Sequence, residues 1–171
     1  MKSAEIYFRK QITSLILPIL GLFILPWLIT SFTKTGIFFI DNIFLQTVIG
    51  VMFLGIGFPL IISSVFLFIK TGKGTLAPWY PTEKLVVSGP YKYTRNPMIT
   101  GVIFVIFAEA FLLGSFGILI YGIFFFLLNT IYFKFLEEPG LVKRFGRDYI
   151  EYRKNVSMWI PRIKPYKPNR F

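Results

Sequence analysis

The sequence predicts an all-α integral-membrane protein with about four transmembrane helices and an interfacial C-terminal helix at the cytoplasmic surface. Of its 171 residues, 54% are hydrophobic, which is more than an ordinary soluble domain contains. Two uncharged runs, 12–32 and 43–69, are 21 and 27 residues long. Since the composition shows no second unit, the sequence predicts a single membrane domain over residues 1–171.

The distribution of the 19 Lys and Arg residues predicts how the chain is oriented in the membrane. Three precede the first uncharged run, five lie between residues 70 and 95, ten follow from residue 134 onward, and only Lys34 lies in the loop 33–42. By the positive-inside rule, both termini and the 70–96 segment are expected on the cytoplasmic side. A net charge of +11 distributed in this way does not predict nucleic-acid binding, which needs a basic face on a soluble domain.

The first run, 12–32, is long enough to cross a hydrocarbon core of roughly 30 Å as a helix. It lacks a small-residue cleavage site before Lys34, so we expect a retained span rather than a signal peptide. Pro18 and Pro26 are expected to kink this helix, because each removes a backbone donor and crowds the preceding turn.

The second run, 43–69, predicts a long and tilted helix that is interrupted near Pro59. Gly50, Gly55 and Gly57 lie along it and favour close packing of a neighbouring helix. The alternative, that Gly55-Ile56-Gly57 contacts a cofactor, rests on two glycines and stays open.

Residues 70–94 are rich in Gly and Pro and are expected to form a loop. Asn96-Pro97 pairs a favoured helix cap with a favoured first-turn residue and predicts a helix start at Pro97. A single helix over 98–133 would be about 54 Å long, which is too long for one crossing. A break at residues 114–117 therefore predicts a tight hairpin of two helices, 97–113 and 117–136.

The last predicted helix, 139–154, follows Glu137-Glu138. Apolar and aromatic residues recur on one face of this segment at helical spacing, with basic residues around them, as in helices that lie on anionic lipid. Glu109, inside the third predicted span, is either a functional carboxyl group or a hydrogen-bonding residue between helices.

The chain contains no Cys and no His, so thiolate and imidazole metal sites are excluded and no metal is expected. Because the hairpin returns to the face it left, it brings the 89–97 turn near the Glu137-Glu138 pair. Taken singly, these residues have structural explanations: Asn96 as a helix cap, Arg95 as a headgroup anchor, and the Glu pair as a complement to the positive end of a helix. Together, their donors, acceptors and aromatic faces suit a small zwitterionic or cationic ligand.

The run Gly89-Pro90-Tyr91-Lys92-Tyr93-Thr94-Arg95-Asn96-Pro97-Met98, followed by Gly101, resembles the signature of integral-membrane methyltransferases. These are the isoprenylcysteine carboxyl methyltransferase family and its phospholipid methyltransferase relatives. Further matches to bacterial members lie at 74–78, 137–138, 145–146, 149, 152 and 159–162. Asn96 stands where many members have His, and an amide cannot act as a general base.

The resemblance implies a prokaryotic cytoplasmic membrane and S-adenosylmethionine bound at the cytoplasmic face. It implies Asn96, Arg95 and Glu138 as catalytic residues. The cofactor-binding residues it implies are Gly89, Pro90, Tyr91, Tyr93, Arg95, Asn96, Pro97, Glu137 and Glu138. The expected acceptor is lipophilic or membrane-delivered: a prenylcysteine-like carboxylate, a lipid headgroup or a thiol.

Two alternatives remain open from the residues alone. A membrane reductase of the steroid-reductase type has a similar proline-containing turn before a late helix and would bind NADPH at this face. A non-enzymatic lipid-binding or scaffold protein would use the polar cluster only for structure.

Overall fold

The computed structural model describes residues 16–33, 42–68, 70 and 84–168. All regular elements in these ranges are helices, as the sequence predicts. The predictions for residues 12–15, for most of the 33–42 loop, for 71–83 with its 74–78 motif, and for both chain termini lie outside the described residues.

Helix α1 (Ile16–Phe32) contains a π turn at Leu20–Ile24. Leu25 N–H donates to the carbonyl of Leu20, five residues back. The next residue, Pro26, has no N–H and crowds the turn before it, so the extra residue of a π turn accommodates it. At Pro26, where a kink was predicted, the helix therefore has a π turn.

Helix α2 (Ile43–Leu67) is capped by Asn42, whose side chain accepts from the N–H groups of Phe44 and Leu45. The predicted interruption at Pro59 is wrong, because the helix continues through it. Proline is tolerated inside apolar helices when local adjustments compensate the lost backbone bond. The carbonyl that loses its donor is that of Gly55, one turn before Pro59, and the bond from the Ser63 hydroxyl to the Pro59 carbonyl at 2.7 Å is an additional one within the continuing helix.

Helix α3 (Pro97–Leu112) starts at the predicted residue and packs closely against α2. A Cβ on Gly57 would lie 2.8 Å from the Gly101 carbonyl oxygen, and a Cβ on Gly50 would lie 2.7 Å from Leu112 Cγ. The packing role of these two α2 glycines is confirmed, whereas Gly55 faces open space.

The predicted hairpin is confirmed between α3 and α4 (Phe116–Tyr132). Gly114 has φ 59°, a left-handed conformation that favours glycine, and the Ser115 hydroxyl accepts from Ile118 N–H to cap α4. The core of the bundle lies where α1, α3 and α4 meet, and its buried members are Leu22, Val102, Ile106, Ala110 and Ile118.

The predicted C-terminal helix differs in two ways from the observed structure. Helix α4 passes through a π turn (Phe133–Glu137) directly into α5 (Glu138–Phe145), so no new helix opens at Pro139. Gly146 then separates α5 from α6 (Arg147–Asn155) with φ 56° and ψ −127°, a conformation open essentially to glycine alone. The segment 139–154 is therefore parts of two helices and not one.

Two helices are long and apolar enough to cross a bilayer by length and composition, Ile43–Leu67 and the continuous Phe116–Phe145. The described part of α1 and α3 are apolar but shorter. Large apolar side chains, among them Phe58, Phe66 and Phe124, are exposed along α2 and α4, which is typical of a lipid-facing surface. The four-span topology and the cytoplasmic side of its C-terminal helices stay predictions.

Candidate functional site

The turn before α3 is a short 3₁₀ helix, Gly89–Lys92, that is held tightly in place. Gly89 has φ 54°, a left-handed conformation that favours glycine, and a Cβ there would lie 2.7 Å from Leu67 Cδ1, so the leucine side chain would have to move. Tyr91 is buried with its ring 5.6 Å from that of Phe68. The Tyr152 hydroxyl donates to the Tyr91 carbonyl at 2.6 Å and joins the turn to α6.

Arg95 and Glu138, predicted to be close, form an ion pair in the structure. Arg95 Nη2 lies 2.6 Å from Glu138 Oε1, and the two side chains are 10% and 9% exposed. Arg95 Nη1 also donates to the carbonyls of Arg153 and Val156 at the end of α6. One guanidinium therefore joins the start of α3, the start of α5 and the end of α6.

The Glu138 carboxylate is bound by arginine side chains, whereas the Glu137 carboxylate is not. The second oxygen of Glu138 lies 3.5 Å from Arg153 Nη1. Glu137 is half-buried, its carboxylate makes no hydrogen bond or close ion pair to another described residue, and the charges of Arg144 and Glu138 both act on it from nearby. Its charge is near enough to Tyr91 to contribute to the raised pKa of that phenol. The hairpin thus brings an available carboxylate to the 89–97 turn.

Asn96 occupies the cap position of α3 but does not act as predicted. Its side chain makes no capping hydrogen bond, and only its carbonyl is used, as acceptor for the N–H and hydroxyl of Thr100. Pro97 is buried at the first position of the helix. The Asn96 amide and the N–H groups of the first turn are therefore not used for capping.

The tyrosines around the turn are unsuited to act as bases. Burial raises the pKa of Tyr91 well above its ordinary value, and the Ser64 hydroxyl offsets this only in part. Burial is also the main cause of the raised pKa values of Tyr149 and Tyr152, which the neighbouring Glu138 and Tyr149, respectively, increase further. All three phenols are neutral at physiological pH, whereas Tyr93 is 38% exposed and presents its ring at the surface.

The segment after α6 folds back along the turn. Backbone hydrogen bonds join Arg95 N–H to the Ser157 carbonyl and Arg162 N–H to the Tyr93 carbonyl, each at 3.0 Å. The Thr94 hydroxyl donates to the Met158 carbonyl at 2.9 Å. Beneath this pairing is a second small core of buried residues, formed by Tyr149, Tyr152, Val156 and Tyr166.

A half-open apolar cavity of about 300 Å³ lies between α3, α4 and the folded-back segment, and it begins one helical turn after Asn96. Thr100, one turn from Asn96, is a wall residue, and Trp159 closes another side by packing on Phe126 at 5.1 Å. The remaining wall residues are apolar: Ile103, Phe104, Phe107, Ile123, Phe126 and Pro161. A cavity of this size and lining suits an apolar chain.

Sequence reasoning did not find the roles of Thr94, Arg153, Tyr152 and the cavity wall. Thr94 lies inside the signature run, and Tyr152 shares a helical face with Tyr149. The sequence therefore indicated that both residues belong to the site, although it did not indicate their contacts. The backbone carbonyls that hold Arg95 carry no signal in the sequence, because any residue type supplies a carbonyl. No group of three or more metal-ligating side chains occurs within the described ranges.

The fold and the site together define a helical membrane protein with a polar turn clamped beside an apolar cavity. A model of the phospholipid methyltransferase family matches residues 45–148, more than half of the chain. The chain therefore belongs to the phospholipid methyltransferase family, and it is a membrane methyltransferase by family. Comparisons with curated proteins and with solved structures find no significant match.

Proposed function

We propose that the chain transfers a methyl group from S-adenosylmethionine to a lipid-like acceptor at the cytoplasmic end of the α3–α4 hairpin. One juxtaposition carries the proposal: the 89–97 turn and Glu137 lie near each other at one end of this hairpin, and the apolar cavity begins at Thr100, one helical turn inward from Asn96. S-adenosylmethionine supplies a methyl group activated by a sulfonium when it is bound. Family membership favours this function over the reductase and the scaffold.

The polar atoms around the turn fit that donor molecule. Glu137 can accept hydrogen bonds from an ammonium or from ribose hydroxyls. Ser88 Oγ and Arg95 Nε are buried and have no hydrogen-bond partner within the described part of the chain, and both can donate to a carboxylate. The exposed ring of Tyr93 can face a sulfonium.

The residues divide into binding and positioning groups. Glu137 and Asn96 would contact the donor, because neither side chain makes a hydrogen bond to another described residue. Arg95 and Glu138 are engaged with each other and would hold the turn against α5 and α6, which leaves only Nε of Arg95 for the donor. Positioning of this kind matters because methyl transfer requires the reacting atoms to be in line.

The acceptor would place its apolar chain in the cavity and its reacting atom towards Asn96, one turn from Thr100. The buried tyrosines of this site are neutral and therefore cannot act as bases. The Asn96 amide cannot accept a proton either. The site therefore favours an acceptor that is nucleophilic without assistance, or one that loses its proton to Glu137 or to water.

Donor binding is tested on purified protein in detergent by calorimetry with S-adenosylmethionine. Glu137→Gln is expected to weaken binding roughly tenfold, as loss of one charge-assisted hydrogen bond does. Asp148→Asn, which removes an exposed carboxylate on α6, is the matched control and should bind as the unmodified chain does. Thermal stabilisation by NADPH with none by S-adenosylmethionine would overturn the proposal.

The cavity is tested by a matched pair on α4. Ile123 lines the cavity, whereas Leu127, one turn further on, does not, although both are about half exposed. Ile123→Trp should fill the cavity and reduce methylation of a lipid acceptor without changing donor affinity. Leu127→Trp should leave both unchanged, and equal activity in the two variants would place the acceptor elsewhere.

A further inference from the structure

We propose that the C-terminal segment 157–168 docks on the anionic surface of the same bilayer, with Ile160 and Ile163 inserted among the lipid headgroups. This inference depends on the membrane class of the chain and not on the methyl donor. Its partner is the headgroup region of a bilayer that contains anionic phospholipid.

The segment is firmly held at several points. Its beginning is fixed by the hydrogen bond from Arg95 N–H to the Ser157 carbonyl, and its end by one from Tyr166 N–H to the Lys92 carbonyl at 2.9 Å. Tyr166 is buried and its hydroxyl donates to Glu151. Because the backbone of this segment is anchored near both ends, the exposure of its side chains is not explained by a flexible backbone.

Two large apolar side chains nevertheless project from it. Ile160 is 77% exposed and Ile163 is 98% exposed, while the intervening Arg162 is partly covered and donates to the Asn155 carbonyl. Exposed isoleucine at two positions of an ordered loop is unfavourable in water and favourable at a bilayer surface.

The contacts of Trp159 place the segment against the face of α4 and its π turn that carries Phe126 and Phe133. The tryptophan ring lies 5.1 Å from Phe126 and 5.8 Å from Phe133, two turns apart on the same helix and its π turn. Leu128 and Ile131, on the opposite face of that helix at the same level, are exposed, so the segment lies at a level where α4 still presents apolar side chains outward. Tryptophan is enriched at the depth where hydrocarbon meets headgroups, and the next residue in the chain is Ile160.

The charge of the segment complements anionic lipid. Residues 157–168 contain Arg162, Lys164 and Lys167 and no acidic residue, and both lysines are exposed. Lysine and arginine near a membrane surface are each attracted to the negative potential of anionic headgroups. The apolar side chains and the cations therefore favour the same partner.

The absence of Cys from the chain makes a site-specific test direct. Ile163→Cys would be labelled with an environment-sensitive fluorophore and the protein placed in nanodiscs of phosphatidylcholine, alone or mixed equally with phosphatidylglycerol. A quencher attached to the lipid near its headgroup would report proximity. Leu136→Cys, exposed in the π turn that follows α4, is the positive control, and Asp148→Cys on α6 is the aqueous control.

The proposal predicts a blue-shifted label at residue 163 that loses most of its emission to the lipid-borne quencher, and loses more in the anionic nanodiscs. Lys164→Glu with Lys167→Glu should remove the dependence on anionic lipid. Water-like emission, or equal quenching in the two lipid compositions, would overturn it. A label that is shielded from water but not quenched would indicate a protein partner and would also overturn it.

Discussion

The Arg95 side chain has the largest structural role of any single residue near the turn. Its guanidinium bonds to Glu138 and to two carbonyls at the end of α6, in a nearly buried setting. A buried charge without its partner is costly, whereas a pair of matched apolar residues is often tolerated. The two side chains are therefore expected to depend on each other.

A double-mutant cycle tests this dependence. Arg95→Met leaves the buried Glu138 carboxylate without its main partner and is expected to cost about 3–5 kcal/mol of unfolding free energy. Glu138→Leu should cost a similar amount for the same reason. Arg95→Met with Glu138→Leu should cost much less than the sum, measured by denaturation in detergent, and simple additivity would show that the pair is not coupled.

At the scale of elements, the break between α5 and α6 decides where the basic C-terminal region lies. Gly146 turns the chain with a backbone conformation closed to other residues, and α6 then returns to the turn that precedes α3. Without this break, the helix that began as α4 would carry Tyr152 away from the Tyr91 carbonyl. The small core around Tyr149 and Tyr152 depends on this change of direction.

Two glycines of this region provide a matched comparison. Gly146→Ala is expected to destabilise the protein by roughly 1–3 kcal/mol, because its φ of 56° strains any residue with a Cβ. Gly140→Ala in α5 should stabilise by up to about 1 kcal/mol, since that position is helical and open. Thermal unfolding in detergent measures both, and similar effects of the two changes would refute the assigned role of Gly146.

At the scale of the whole molecule, local signals predicted the helices, the start at Pro97 and the hairpin at residues 114–117. Each of these features is specified by residues within one helical turn of it. The Pro59 interruption was predicted wrongly because a proline weakens a long apolar helix at one position and does not by itself end it. The break at Gly146 was missed because the helical spacing of the apolar residues continues across a single glycine.

The candidate site was predictable as a group of residues and not as a set of contacts. The topology of the hairpin predicted that the 89–97 turn lies near Glu137 and Glu138, and it did not predict which side chains form a pair. The partners of Arg95 on α6, the folded-back segment and the cavity depend on tertiary packing, which local sequence does not encode. The division between Glu138, which is engaged, and Glu137, which is available, follows from that packing alone.

The central proposal is methyl transfer from S-adenosylmethionine to a membrane lipid, and isotope transfer tests it most directly. The purified chain in nanodiscs made from a bacterial lipid extract would be incubated with S-adenosylmethionine labelled in its methyl group, and the lipid fraction analysed by mass spectrometry. The proposal predicts labelled lipid with the unmodified chain and with Asp148→Asn, and a marked loss with Glu137→Gln. A lipid fraction that stays unlabelled while the folded protein binds the donor would contradict it.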